Sequence, residues 1–251
     1  MREVELSARM KALTEMVSKQ SIVCDVGCDH GFVSIYLVQQ GIAPKVYAMD
    51  VGKGPLERAK EHIKEYDLES YIETRLSDGL NELQVGEADC MICAGMGGRL
   101  MMRILQEGSD KARAMKELIL QPQSELALFR SFLRENGYKI IQENMIYEDG
   151  KFYPMMKVMP VETYNEQSES IQVSDKENAM SAEHILWDMF GELLLKEGHP
   201  VLKQYLAHSR DYLSELLTHL EAQGGERAKE RVQQIQEELR MVKRAQAYMM
   251  K

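Results

Sequence analysis

The segment Ile22-Val23-Cys24-Asp25-Val26-Gly27-Cys28-Asp29-His30-Gly31 places an acid and two glycines directly after a short apolar run, in the pattern D-x-G-x-x-x-G. Glycines at a strand end let the backbone turn tightly and let a ligand come close to the carboxyl edge of a sheet. The spacing is not G-x-G-x-x-G, so no glycine pair is set to cradle a pyrophosphate, and a nicotinamide-dependent enzyme is the weakest reading. Asp50, followed by Val51, ends a second apolar run, where a carboxylate can accept hydrogen bonds from a ribose diol. Asp78-Gly79 ends a third, placed to meet an adenine ring. A nucleoside-bearing cofactor without phosphates fits this set, which points to S-adenosylmethionine. Strand-end acids also serve as simple loop caps, but three in register across successive strands argue for a ligand.

The fourth run ends in Ala94-Gly95-Met96-Gly97-Gly98-Arg99 and the fifth in Gln121-Pro122-Gln123. Three glycines in four residues allow a flat ring to approach the backbone. Both loops would line the same crevice, where a methyl group is presented. Ala94, Gly95, Met96 and Gly97 join the expected cofactor contacts, and Gly98, Arg99 and Arg103 the substrate rim. A flexible turn into a helix is the alternative.

Four cysteines, Cys24, Cys28, Cys90 and Cys93, offer a zinc set on paper. Residues three apart on a strand point to opposite faces, so Cys90 and Cys93 do not converge on one ion. Small buried hydrophobes are the expected role, and no metal is expected.

These loops need a scaffold. Leu6, Met10, Leu13 and Val17 make one helical stripe. Strands are expected at Ile22 to Val26, Val46 to Met49, Ile72 to Leu76, Asp89 to Cys93 and Leu118 to Leu120. Helices are expected at Phe32 to Gln39, at Pro55 to Tyr66 with proline at the start, and over Leu126, Phe129, Phe132 and Leu133 up to Asn136-Gly137. Lys139 to Tyr147 and Phe152 to Met159 flank Asp149-Gly150, a hairpin signal. Alternation of strand and helix implies an α/β fold, a mostly parallel sheet with helices on both faces and an antiparallel strand at one edge.

Beyond Pro160 the pattern changes. Residues 1–160 carry 20 basic and 24 acidic side chains; residues 161–251 carry 11 and 16. The first part is read as the cofactor-binding catalytic domain and the second as a helical domain, with Asn165 to Ser170 as a polar linker. Ile185, Met189, Phe190 and Leu193 mark one helix closed by Gly198 and Pro200. Leu202, Leu206, Ser209, Leu213, Leu216 and Leu220 form a heptad seam. It resumes after Gly224-Gly225 at Ala228, Val232, Ile235, Leu239, Val242 and Met249, an antiparallel coiled-coil hairpin.

The 251 residues, 44% hydrophobic and 28% charged with a net charge of −9, describe a globular chain rather than a disordered one. No apolar run reaches about 18 residues, so no membrane span is expected. The N-terminus carries acids where a signal peptide has a basic start, and cytoplasmic residence is the default.

Asp25 to Gly31, Ala94 to Gly98, Leu120-Gln121-Pro122 and Glu148-Asp149-Gly150-Lys151-Phe152-Tyr153 together resemble the bacterial tRNA (adenine-22-N1)-methyltransferases. The resemblance spans about residues 1–160, and the helical C-terminal hairpin agrees with it. It implies a Rossmann-like seven-strand methyltransferase sheet, S-adenosylmethionine as donor, and methylation of N1 of adenine 22 in tRNA. Two positions depart from the family pattern: Gln123 stands where Asn is usual, and Phe32 where Tyr is common.

Adenine N1 carries a lone pair and no proton, so attack on a sulfonium methyl needs no general base, and placement can supply most of the catalysis. N1 lies on the Watson–Crick edge, so the base must be drawn out of its stack. An oxygen accepting from the exocyclic amino group would orient it. Asp29 is the first candidate; the carbonyls of the Ala94–Gly98 loop and the amides of Gln121 and Gln123 are others. Asp29 could equally bind the amino-acid end of the cofactor or cap the following helix. The net acidity argues against nucleic acid, but residues 226–251 hold seven basic and four acidic side chains, Lys243 and Arg244 among them. The hairpin is the expected tRNA grip. A methyltransferase for another acceptor, and a partner-binding module on a degenerate domain, are the alternative readings.

Overall fold

A computed structural model of the chain describes residues 3–161, 176–223 and 226–250. It divides into two compact units, Met1–Ser168 and Glu169–Lys251. The polar stretch Asn165 to Ser170 and the glycine pair 224–225 lie outside the described residues.

The first unit runs α1 (Ala8–Glu15), β1 (Val23–Val26), α2 (Phe32–Gln39), β2 (Val46–Asp50), α3 (Lys53–Glu65), β3 (Ile72–Leu76), β4 (Cys90–Met96), α4 (Gly98–Glu107), α5 (Ser109–Ala114), β5 (Glu117–Pro122), α6 (Leu126–Glu135), β6 (Tyr138–Glu148) and β7 (Lys151–Pro160). The sheet order is β3-β2-β1-β4-β5-β7-β6, with β1 to β5 parallel. The antiparallel strand expected at the edge is β7, one place in. It pairs antiparallel with β5, and β6, hairpinned back through Asp149-Gly150, forms the edge.

Chain order reverses between β1 and β4. Ligands of open α/β sheets bind outside the carboxyl ends of the strands at such a point, and the glycine loops stand there. One face of the sheet packs Val23, Ile92 and Ile119 against Leu13 of α1, Ile35 of α2 and Ile63 of α3. The other packs Met49, Met91 and Leu120 against Met101 of α4 and Phe129 of α6. The expected helical stripe of α1 is shorter than read: Leu6 and Val17 flank the helix, which Ser7 caps by accepting from Met10 N. Strands β4 and β5 extend past the expected bounds into their glycine and glutamine loops, and α4 and α5 complete the second face.

The four cysteines are buried, Cys28 and Cys90 on one face and Cys24 and Cys93 on the other. Burial pushes all four thiols up, Cys93 to about 12, so none is a thiolate. Among the described residues no group of three or more His, Cys, Asp or Glu is placed to hold a metal ion.

The second unit comprises α7 (Lys176–Phe190), α8 (Glu192–Lys196), α9 (Pro200–Gln223) and α10 (Glu226–Tyr248). The single helix expected through Leu193 breaks at Gly191, whose φ of 91° and ψ of 122° no helical residue adopts. The start of α9 lies beside the end of α10, since Lys203 and Met249 line one cavity, so the two helices are antiparallel. Leu202, Leu206, Leu213, Ile235, Leu239 and Val242 are buried along the seam, whereas Leu216, Leu220 and Val232 are half-buried. No helix among the described residues is long and apolar enough to cross a membrane.

Candidate active site

The loop after β1 turns on Gly27, whose φ of 80° suits glycine alone. The N–H groups of Gly27 and Cys28 both donate to Met49 O, at 2.8 and 3.0 Å, which ties this loop to the end of β2. A side chain on Gly27 would run into the methyl of Met96, so the two glycine loops meet over the switch point. Cys28 is buried and gives the crevice backbone only.

Asp25 is not at the surface. It is 5% exposed, and its carboxyl accepts from Ser34 Oγ at 2.7 Å, which fixes the first turn of α2 beneath the loop. Burial pushes its pKa up to about 6, against the opposing effect of the Ser34 bond, and Asp50 pushes it further. Asp25 is thus turned inward onto Ser34 and holds the loop.

Asp50 sits at the rim, half-buried, with Oδ1 accepting from Gly52 N at 2.8 Å and Oδ2 from Asp29 N at 3.2 Å. Both oxygens keep a lone pair for a diol. Val51 beside it is exposed, an apolar surface at the same edge. Asp29 adopts φ 46°. Its carboxylate is turned to Arg58, at 3.2 Å, and His30, at 3.6 Å, both on the side of α3. His30, Phe32 and His62 stack, with Phe32 and His62 centroids 4.5 Å apart, and His62 Nδ1 lies 2.9 Å from His30 O.

At β3, Asp78 is held by two bonds from Arg103, at 2.8 and 3.1 Å, which keep its carboxyl below the usual range. Arg103 also meets Glu107 at 2.8 Å. Asp78, expected on the cofactor, and Arg103, expected on the substrate, are thus one ion pair. Gly79 is buried against Ile104 of α4.

Gly95 is exposed, and only Gln123 Nε2 comes within 4 Å of where a side chain would begin, so its backbone is open to a ring. Gln123 N donates to Met96 O at 2.9 Å, and Gly98 N donates to Ser124 Oγ at 3.3 Å, so the β4 and β5 loops are tied together. Gly97 and Gly98 leave room for Ser124: a Cβ on Gly98 would lie 2.6 Å from Ser124 O. Arg99 pairs with Glu125 and is exposed. Gln121 is 0% exposed, unlike the open amide of Gln123.

Arg9 of α1 is the residue missed by sequence reasoning. Its Nη1 donates to Gln121 Oε1 at 3.1 Å, its guanidinium lies 4.6 Å from the Tyr153 ring centroid, and its backbone N–H donates to Glu148 Oε1 at 3.1 Å. Three motif residues thus gather around an arginine more than a hundred positions away in sequence. Lys243 and Arg244 are exposed on α10 of the second unit.

The cradle over Gly27 and Gly95 and the acceptor pair on Asp50 suit a nucleoside without phosphates; among the described residues no cluster of cations stands at the first loop for a pyrophosphate. Comparison with known proteins agrees. Residues 6–156 match the family described as methyltransferase domain. The tRNA (adenine(22)-N(1))-methyltransferase of Bacillus subtilis is 35% identical over 62% of this chain and 66% of its own length, just under two thirds. A crystal structure of a putative tRNA (m1A22) methyltransferase of Streptococcus pneumoniae superposes with TM-score 0.80 at 29% identity, over 96% of this chain and 99% of that one. Its complex with S-adenosyl-L-methionine gives TM-score 0.78 at 28% identity, over 96% and 99%. With 151 of its 251 residues matched and the cofactor loops at the switch point, the chain belongs to the methyltransferase domain family.

Proposed function

We propose that the protein is a tRNA (adenine(22)-N1)-methyltransferase using S-adenosylmethionine. The observation that carries the proposal is the joined pair of glycine loops at the β1/β4 switch point, with an open backbone at Gly95 and a diol acceptor at Asp50. The similarity to the Bacillus subtilis and Streptococcus pneumoniae proteins supports the acceptor.

Bound S-adenosylmethionine supplies a sulfonium methyl for in-line displacement. The chain's own work is placement. Asp50 accepts from the ribose hydroxyls, and Asp78, while keeping Arg103, receives the adenine edge. Gly27 and Gly95 let the ligand lie against backbone. The linked Met96–Gly98 and Gln123–Ser124 loops form the acceptor side, where carbonyls of residues 94–98 accept from the exocyclic amine of the target base. Asp29 acts on the loop and on Arg58 rather than on the base, since its carboxylate faces α3. His30 works as a hydrogen-bonding and stacking group, because N1 needs no base. The α/β unit carries the chemistry and the helical unit grips tRNA through exposed cations, Lys243 and Arg244 among them, with Arg99 at the active-site rim. Acting on tRNA, the protein works in the cytoplasm under this reading.

Incubation of the protein with radiolabelled S-adenosylmethionine and total tRNA from a strain lacking this modification, followed by mapping, tests the reading. N1-methyladenosine at position 22 is expected. Cofactor binding without methylated tRNA overturns the acceptor and leaves the fold assignment standing.

A further inference from the structure

Arg9 and Gln121 each bury a donor that nothing satisfies. Arg9 Nε and Gln121 Nε2 have no hydrogen-bond partner among the described residues; Gln121 is completely buried, and Arg9 Nε, on a side chain 17% exposed, lies 4.0 Å from Glu148 Oε2 as an ion pair. A buried donor left unpaired costs about 1–3 kcal/mol, so two adjacent ones are unusual.

Their orientation follows from valence alone. A guanidinium has only donors, so the Gln121 oxygen must face Arg9, and the amide NH2 must face away from it. Arg9 is itself held by Glu148, which accepts its backbone N–H in the first turn of α1, and by the Tyr153 ring beneath the guanidinium. Register gives the location. Val26, which precedes Gly27, pairs with Cys93, and Ala94 pairs with Gln121, so Gly27 stands one residue past the end of β1 on one side of β4 and Gln121 on the other. Strand spacing puts the Gln121 backbone about 10 Å from the glycine of the cofactor loop, on the far side of Ala94. That is the acceptor side of the crevice, about the width of a purine away.

We propose that Arg9 is a positioning residue that locks Gln121 so that its amide donates to a ring nitrogen of the target purine, N7 or N3, leaving N1 free for the methyl group. This reverses the polarity expected for Gln121: it is a donor to the base, not an acceptor from the exocyclic amine. The contact closes when the base is drawn in, as hydrogen bonds of catalytic sites tighten in the substrate complex. The inference rests on the tRNA-adenine reading above.

Gln121→Met tests it. The substitution keeps the side-chain length, removes the unsatisfied Nε2 donor and also takes the acceptor from Arg9 Nη1, so its two effects on thermal stability oppose, and S-adenosylmethionine affinity by calorimetry is expected to stay within about twofold. Single-turnover formation of N1-methyladenosine in tRNA at saturating cofactor is expected to fall at least about tenfold. Arg9→Ala is expected to fall similarly and Arg9→Lys to recover part of the rate. The double variant is expected to be no slower than the slower single one, because Arg9 acts through Gln121. Undiminished transfer by Gln121→Met, the result for an amide that only holds a buried water, overturns the inference, as do defects that multiply in the double variant. No N1-methyladenosine from the wild-type chain overturns the assigned reaction and this inference together.

Discussion

The two halves of the sheet are held by different forces. In β1 and β2 the strand interiors are apolar, with Asp25 as the one buried charge, β3 carries Glu73 and Arg75 short of full burial, and polar groups stand at the rim: Asp29, Asp50, Asp78. Around β5 to β7 the charges go inside. Glu117 takes Lys157 at 2.7 Å, and Ser18 adds bonds to both carboxylate oxygens. Arg130 of α6 meets Glu143 of β6 at 3.0 Å with both side chains buried. Arg9 and Gln121 belong to this second half. A cofactor half that exchanges ligand through exposed carboxylates can be soft, whereas an acceptor wall that must present one fixed donor needs buried polar ties. Such ties add little net stability, but breaking one is costly.

The contrast is broken most sharply at Lys157. Lys157→Met leaves Glu117 buried without its cation and removes the bond to Met16 O at 2.9 Å. A loss of about 3–5 kcal/mol is expected, read as a lower urea midpoint. Burial pushes the Glu117 carboxyl up, but the bonds from Lys157 and Ser18 prevail and its pKa is lowered. Its contribution is therefore present above the ordinary carboxylate range and fades as pH falls through the folded value. The variant's deficit shrinks in acid, and a deficit independent of pH would show that the pair is not the cause.

Asp25 gives the opposite sign. Its folded pKa, about 6, lies above the ordinary 3.8, so the ionised form is penalised in the native state. This destabilisation is full above pH 6 and is relieved as pH falls towards 4. Asp25→Asn, which keeps an acceptor for Ser34, is expected to stabilise by about 3 kcal/mol at pH 8 and by almost nothing at pH 4. Denaturant titrations at the two pH values read it. A gain equal at both would place the effect in packing rather than charge.

Asp50→Ala carries the rim. Loss of a charged acceptor for the ribose is expected to weaken S-adenosylmethionine binding about ten- to a hundredfold, with the urea midpoint nearly unchanged. An unchanged affinity by calorimetry would move the diol contact away from β2.

These differences also explain what the sequence made legible. Glycines and strand-end acids of the cofactor half lie within short local patterns, and Asp25 to Gly31, Asp50 and Gly95 all fall at the expected edge. The Asp149-Gly150 hairpin was equally local. The acceptor wall is made of contacts between residues 112 and 139 positions apart, Arg9 with Gln121 and with Glu148, which no periodicity encodes. That Asp25 is buried was hidden too, because the residue that accounts for it, Ser34, sits in an otherwise ordinary helix turn. The break at Gly191 was masked by an apolar stripe that continues through it.

The smallest effect sharpens the comparison. Asp78–Arg103 at the rim has two bonds, yet both its side chains are more than 40% exposed. Water replaces a lost partner there, so Arg103→Ala is expected to leave the urea midpoint unchanged and to alter S-adenosylmethionine affinity at most about fivefold, less in high salt. Arg103 keeps the Asp78 carboxyl low, so in the variant Asp78 protonates at higher pH, and the acid limb of cofactor binding moves upward. Calorimetric titrations from pH 4.5 to 7.5 in low and high salt read both. An affinity loss comparable to that of Asp50→Ala would mean that Arg103 touches the cofactor itself, and that the rim is organised by its ion pair rather than by strand-end carboxylates.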